Sequence, residues 1–133
     1  MTDLEFIRPN KRAVMVTRRK DGRLQTSVVT AVYDPAGKVW VWTRYGSAKM
    51  YNLTRDRRVA LCVVGEQWSQ WIHVDGEGEV LHQPEVLPLL DDYYRFRELK
   101  EHPNWAEWRQ RVLDERRVLL RITPTGVLNP PRP

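Results

Sequence analysis

The chain has 133 residues, 41% hydrophobic and 29% charged, a composition that suits one globular domain and excludes a disordered one. No apolar run approaches the roughly 20 residues of a membrane span, and the opening MTDLEFIRPNKR lacks the apolar stretch of a secretory signal. The net charge of +5 raises nucleic acid as a partner, but the basic residues are scattered and mixed with acids, which disfavours a dedicated nucleic-acid surface.

Residues 1–12 read as an irregular lead with one helical turn before Pro9. Arg12 to Arg19 alternates apolar and polar, as a half-buried strand does. Asp21-Gly22 is a hairpin signal. Leu24 to Tyr33 is rich in valine and threonine and predicts one long second strand. A turn at Asp34-Pro35-Ala36-Gly37 leads into a third strand, Lys38 to Arg44. A short helix opens at Ser47, a suitable N-cap, with Met50 and Leu53 facing inward, joined by Tyr51 and Thr54.

Val59 to Val64 is a continuous apolar run, hence a buried strand, and its Cys62 reads as a plain buried thiol. A lone cysteine and the absence of a signal place the chain in the cytoplasm. Trp68 to Leu81 is a long alternating strand whose Gly76 and Gly78 mark a bulge or corner. Pro84 fits the first turn of a helix reaching Lys100, with Leu87, Leu90, Tyr94 and Leu99 at helical spacing. A second helix starts at Pro103, with Trp105, Trp108, Val112 and Leu113 on one stripe. Arg116 to Ile122 is the last strand, interrupted at Pro124 and Gly126 and resuming at Val127-Leu128. The end of the chain, 129–133, is expected to be a loose tail. Hairpins with interior glycines predict an α+β, mainly β, antiparallel barrel of six to seven strands, with a short helix after strand three and two helices before the last strand.

The chemistry narrows by elimination. His73, His82 and His102 lie on three elements without metal-ligand spacing. No nucleophile elbow, dinucleotide fingerprint or P-loop occurs. Asp75, Glu77 and Glu79 share one side of a strand and read as a solvated face. What remains is Val39 to Arg58. A strand there feeds a helix N-terminus, a natural anion site, with Lys49 in its first turn where the dipole disfavours a cation. Lys49 is either an anion ligand or a solvated lysine. Arg44, Arg55 and Arg58 either add charge or are plain surface residues, and Asn52, one turn on, either bonds a ligand or caps the local loop. Gln25 and Ser27 share a strand face and, with Thr43, line either a polar cleft or the wet outside of the barrel. Most of the tryptophans read as packing, whereas a ring at Trp71 suits stacking on a planar ligand.

Four blocks then resemble the split β-barrel flavin and deazaflavin oxidoreductases of the pyridoxamine 5′-phosphate oxidase-like superfamily: DGRLQTSVVTAVYDP, VWVWTRYGSAKMYNLTRDRRVAL, WIHVDGEGEV and HPNWAEWRQRVLDERRVLLRITPTGVL. The SAK-x-x-NL-x-RD-x-R pattern is the most specific, and the last block resembles the group that uses coenzyme F420. The resemblance implies a homodimer with two cofactor sites at the subunit interface. It implies that Ser47, Ala48 and Lys49 hold the cofactor phosphate, and that Gln25, Thr26, Ser27 and Val28 run along the ring. Thr43, Arg44 and Asn52 complete one side, and the partner brings Trp68 to His73, with Gln70, Trp71 and His73 at the cofactor. The chain departs from its relatives at Ser47 and Tyr51, where arginines occur, so either Arg44, Arg55 or the other subunit supplies charge or the anion is held more weakly. The C-terminal stretch that completes the substrate site of true pyridoxamine phosphate oxidases is not evident, which argues against a vitamin B6 substrate. The expected activity is F420-dependent hydride transfer to an electron-poor double bond or quinone-like acceptor, with no dedicated acid or base. FMN or haem binding in the same barrel, a non-enzymatic cofactor carrier and a basic nucleic-acid binder are the alternatives.

Overall fold

The computed structural model describes residues 3–129, so all of the expected tail beyond Asn129 lies outside the described residues. A 3-10 helix, Asp3–Ile7, precedes seven strands: β1 (Arg12–Arg18), β2 (Leu24–Thr30), β3 (Val32–Tyr33), β4 (Val39–Arg44), β5 (Arg58–Val64), β6 (Trp71–Leu81) and β7 (Arg117–Leu128). Helix α1 (Ala48–Arg55) follows β4, and α2 (Leu87–Glu98) and α3 (Trp105–Asp114) lie between β6 and β7. The strands form one antiparallel sheet in the order β2-β1-β5-β6-β7-β4-β3. This is an α+β, mainly β, split barrel.

One residue explains the closure. β2 and β3 occupy opposite edges of the sheet, yet only Ala31 separates them in the chain. The sheet must therefore curl until its edges approach. The expected single strand from Leu24 to Tyr33 is thus two strands. Its first half pairs with β1 and its second with β4, while the Ala31 amide donates to the Lys11 carbonyl at the switch.

Alternation then sorts the side chains. Met15, Val29, Val41, Leu61, Val63, Val74, Leu120 and Ile122 fill the barrel, and Leu53 of α1 closes it. Gly76 is required by close approach, because a Cβ there would meet Ile122 Cγ2 at 2.7 Å and the Thr123 carbonyl oxygen at 2.8 Å. The register shift between Asp75 and Gly76 lets β7 run on through Pro124 and Gly126, so the expected interruption of the last strand does not occur.

A second core lies outside the barrel wall. Val32, Trp40 and Leu119 point outward and are covered by Val86, Leu90, Tyr93 and Tyr94 of the α2 segment and by Trp108 and Val112 of α3. Trp42 stacks on Tyr93 and Trp108 at 5.1 and 5.3 Å between ring centroids.

Several sequence expectations shift. Trp68 lies in a turn, 94% exposed, because β6 begins only at Trp71. The first late helix starts at Leu87 with Pro88 in its first turn, not at Pro84, and Leu99 ends it in an exposed left-handed cap. The second starts after Asn104, whose side chain accepts from the Glu107 amide, and Leu113 is exposed. Tyr51 and Thr54 face solvent because α1 has one buried face, that of Met50, Asn52 and Leu53. Cys62 is half-buried on the outer wall, not inside, since the strand parity that buries Leu61 and Val63 turns it outward.

Candidate functional site

The opening of α1 is built by its sequence. Gly46 turns the chain with φ +88, and Ser47 caps the helix. Ser47 Oγ accepts from the Met50 amide at 3.3 Å and from Thr43 Oγ1 at 3.0 Å. Its own hydroxyl proton is thereby left to donate elsewhere. The amides of Ala48 and Lys49, the first two of the helix, have no intrahelical acceptor by helix geometry. Three donors therefore converge on the helix end where the dipole is positive.

Lys49 stands among them, half-buried. Burial, and after it the charge of Arg117, holds its ammonium below the usual lysine range. Arg117 lies opposite Arg44 in the β4–β7 ladder. Its guanidinium is fixed by Glu115 at 2.8 Å and sits 4.1 Å from the Trp42 ring centroid. Arg44, Lys49 and Arg116 enter none of the ion pairs among the described residues. A half-buried ammonium beside another cation, without a carboxylate, is an arrangement that an anion would relieve.

Asn52 is committed differently. It is 4% exposed. Its Nδ2 donates to Thr17 Oγ1 at 3.0 Å and to Gln25 Oε1 at 3.2 Å, and its Oδ1 accepts from Arg55 Nη2 at 2.6 Å. It pins α1 to β1 and to the edge strand β2. Gln25 and Ser27 are half-buried on the inner face of that edge, next to α1, while Thr26 and Val28 face outward. Thr43 is buried, and Arg44 and Ala48 are exposed.

The remaining expected residues lie elsewhere. Exposed Gln70 and half-buried Trp71 and His73 sit at the start of β6, and His73 Nε2 pairs with Asp75 Oδ1 at 2.8 Å. The other end of β6, Leu81, pairs with Leu119 near the Lys49 end of the barrel. The two groups are thus separated by the length of an 11-residue strand, roughly 30 Å along its path. Within one chain they do not meet.

Sequence reading missed Thr17, Arg116 and Arg117. The basic pair before an apolar run reads as surface. Only the pairing of Arg117 with Arg44 brings it to the site.

A family model described as pyridoxamine 5′-phosphate oxidase matches residues 3–129. The chain belongs to that family. Solved structures agree on the fold. The conserved hypothetical protein Rv2991 from Mycobacterium tuberculosis superposes with a TM-score of 0.75 at 20% identity, over 96% of this chain and 82% of that one. An F420 reductase does so at 0.69 and 17%, over 93% and 94%. HupZ from Group A Streptococcus gives 0.69 and 10%, over 97% and 94%. At such identities the likeness to these relatives is one of fold. The barrel, the Lys49 helix and the covering pair of helices are this chain's form of the pyridoxamine 5′-phosphate oxidase family architecture. No helix among the described residues is long and apolar enough to cross a membrane.

Proposed function

We propose that the chain is an F420-dependent oxidoreductase that works as a homodimer. The observation that carries this reading is Lys49: a half-buried ammonium at a helix N-terminus, within reach of the charge of Arg117, which pairs across the ladder with Arg44, and with no carboxylate partner among the described residues. Family membership favours a flavin-type cofactor, and an F420 reductase among the fold neighbours favours the deazaflavin. The donor set fits a phosphate in number and charge: the Ser47 hydroxyl, the Ala48 and Lys49 amides and the Lys49 ammonium. When bound, F420 supplies hydride transfer to an electron-poor double bond or quinone-like acceptor.

The chain's own residues bind and orient. Asn52 holds Gln25, and so the strand Gln25–Val28, at a fixed distance from α1. Thr43 donates to Ser47 Oγ and so leaves the Ser47 hydroxyl proton free for a ligand. Arg44 adds charge, and Arg55, tied to Asn52, stays close by. Gln70, Trp71 and His73 belong to the site only if a second copy presents them, since they lie at the far end of β6. The outer face of β2, β1 and β5 supports such a pairing. It carries Val28, 85% exposed, with Leu24 and Val64, and no helix covers it.

Titration of the protein with F420 and with FMN, followed by tryptophan fluorescence, tests the reading. Binding of F420 in the micromolar range or tighter is expected, and micromolar FMN binding with none of F420 overturns it. Lys49→Ala should weaken F420 binding about 10- to 100-fold, the range for losing a charge-assisted hydrogen bond, and leave the thermal midpoint unchanged or raised. The affinity should also fall as pH rises through the lowered Lys49 value, before ordinary lysines titrate. The same depression means that folding alone gains stability with rising pH in that window, because the unfolded chain holds the proton longer. Binding and folding thus respond to alkali with opposite signs.

A further inference from the structure

Between α2 and α3 lies a cavity of about 440 Å³. Leu87 and Leu90 of α2 and Val112 and Leu113 of α3 give it apolar walls, with Trp108 among them. Its charged lining residues are Asp91 and Arg109, which pair with each other. A space of that size suits a small organic molecule. We infer that this cavity binds a small neutral apolar molecule carrying a hydroxyl group, with the Asp91 carboxylate as the acceptor for that hydroxyl. The site shares no residue with the Lys49 region, so the inference is independent of the F420 reading.

Three observations carry it. First, the apolar walls are only partly covered. Leu90, Trp108 and Val112 are buried, while Leu113 is 43% exposed and Leu87 is half-buried. Side chains of both helices thus surround a space that an apolar body would fill with loss of water from its walls.

Second, the buried side-chain polar atoms that lack a hydrogen-bond partner among the described residues are Asp91 Oδ1, the Tyr93 hydroxyl and Trp108 Nε1. All three belong to α2 and α3, and Asp91 and Trp108 line the cavity. Buried polar groups are normally paired, so orphans on lining residues point to a missing partner. A carboxylate oxygen accepts and an indole N–H donates, whereas a hydroxyl does both. Asp91 Oδ1 is closed off from water as it stands. Turning the carboxylate about its soft terminal torsion brings an oxygen to the ligand.

Third, the charges select a neutral head group. Asp91 Oδ2 accepts from Arg109 Nε at 3.1 Å and from Nη2 at 2.6 Å. A carboxylate ligand would be repelled by Asp91 and an ammonium ligand by Arg109, so neither charge gains as a neutral donor does. The Arg109 side chain is 58% exposed and stays solvated while its partner turns.

The test titrates the whole chain by calorimetry with 4-butylphenol, with butylbenzene, which lacks the hydroxyl, and with 4-butylbenzoate and 4-butylbenzylamine, which carry charge. Wild type should bind 4-butylphenol with a Kd of about 10–100 µM, the range open to so small a ligand. Butylbenzene should bind about 3- to 10-fold more weakly, the worth of one neutral hydrogen bond, and the two charged compounds should also bind more weakly than the phenol. Methyl NMR signals of Leu87, Leu90, Val112 and Leu113 should shift when 4-butylphenol is added. Asp91→Ala should erase the preference for the phenol while leaving butylbenzene affinity within about twofold of wild type. Asp91→Asn, which keeps a carbonyl acceptor, should recover part of it. Absence of 4-butylphenol binding, or binding that leaves those methyl signals unmoved, overturns the site. Equal affinity for phenol and butylbenzene in wild type, a preference that survives Asp91→Ala, or tighter binding of either charged compound overturns the ligand class. A wild-type dimer in sedimentation velocity that Leu113→Asp dissolves would mean that a second copy covers this groove, and the small-molecule site then falls.

Discussion

The outer wall of the barrel has two halves of similar sequence and opposite fate. On β3, β4 and β7 the outward residues Val32, Trp40 and Leu119 are buried, because α2 and α3 lie over them. On β2, β1, β5 and β6 the outward row of Val28, Val14, Cys62 and His73 is in register from strand to strand. No element among the described residues covers it. Both halves carry apolar outward residues, whose burial is favourable by about 25 cal/mol per Å². Only the first finds its cover within the chain. The difference separates residues that hold one chain together from residues that remain available to a second copy.

The largest effect should come from the covered half. Trp108 is buried, stacks on Trp42 at 5.3 Å and meets Tyr94 edge-on at 4.9 Å. Trp108→Ala should lower stability by about 3–5 kcal/mol in denaturant unfolding, as for other buried large-to-small changes. A loss under about 1 kcal/mol would mean that α2 and α3 are loosely held and that the two halves are less different than their burial implies.

Tyr93, in the same layer, gives the next effect. Burial pushes its phenol up to about 12, against the opposing pull of Arg97 and Arg117. An unfolded tyrosine ionises near 10. Between pH 10 and 12 the folded chain keeps a proton that the unfolded chain has lost, so stability present below pH 10 falls as pH rises. The expected fall is about 2–3 kcal/mol by pH 12. Tyr93→Phe should remove that slope at little cost near neutrality, because the Tyr93 hydroxyl has no hydrogen-bond partner among the described residues. An identical alkaline slope in both proteins would place the titration elsewhere.

What the sequence revealed follows the same division. Local signals were legible: the Ser47 cap, the inward Met50 and Leu53, and the glycine bulge in β6 all stand where spacing put them. The break at Ala31 was not. Val29, Ala31 and Tyr33 keep the period of two across the switch, so nothing in the pattern marks the exchange of one sheet edge for the other. Pro124 and Gly126 read as a stop, yet they flank Thr125, the one residue of β7 that the β6 ladder skips, so the strand runs on through a bulge. In the candidate site, Lys49 was legible from its place in a helix turn. Arg116 and Arg117 were not, since their role depends on which strand lies beside β7. Trp71 entered as a ring suited to stacking and His73 by resemblance, and strand length then put both out of reach of Lys49 in the same chain.

The smallest effect on folding, and the sharpest on assembly, belongs to the uncovered half. Val28 is 85% exposed on an edge strand, so Val28→Asp removes almost no buried area from the single chain. Folding stability measured on dilute protein should change by about 0.5 kcal/mol or less. Self-association is another matter. If a second copy covers this face, a carboxylate within it must be desolvated without a partner. Sedimentation velocity should then show a dimer for wild type and a monomer for Val28→Asp. Cys62 supplies an internal reporter, because it lies two strands away in the same row, with Val14 between. Its thiol should react with a disulfide reagent more slowly as wild-type concentration rises, and at a concentration-independent rate in Val28→Asp. F420 affinity should fall along with the dimer, since Trp71 and His73 can reach a Lys49 site only from another copy. A Val28→Asp protein that remains dimeric would move the seam to another surface and leave the uncovered wall without a partner.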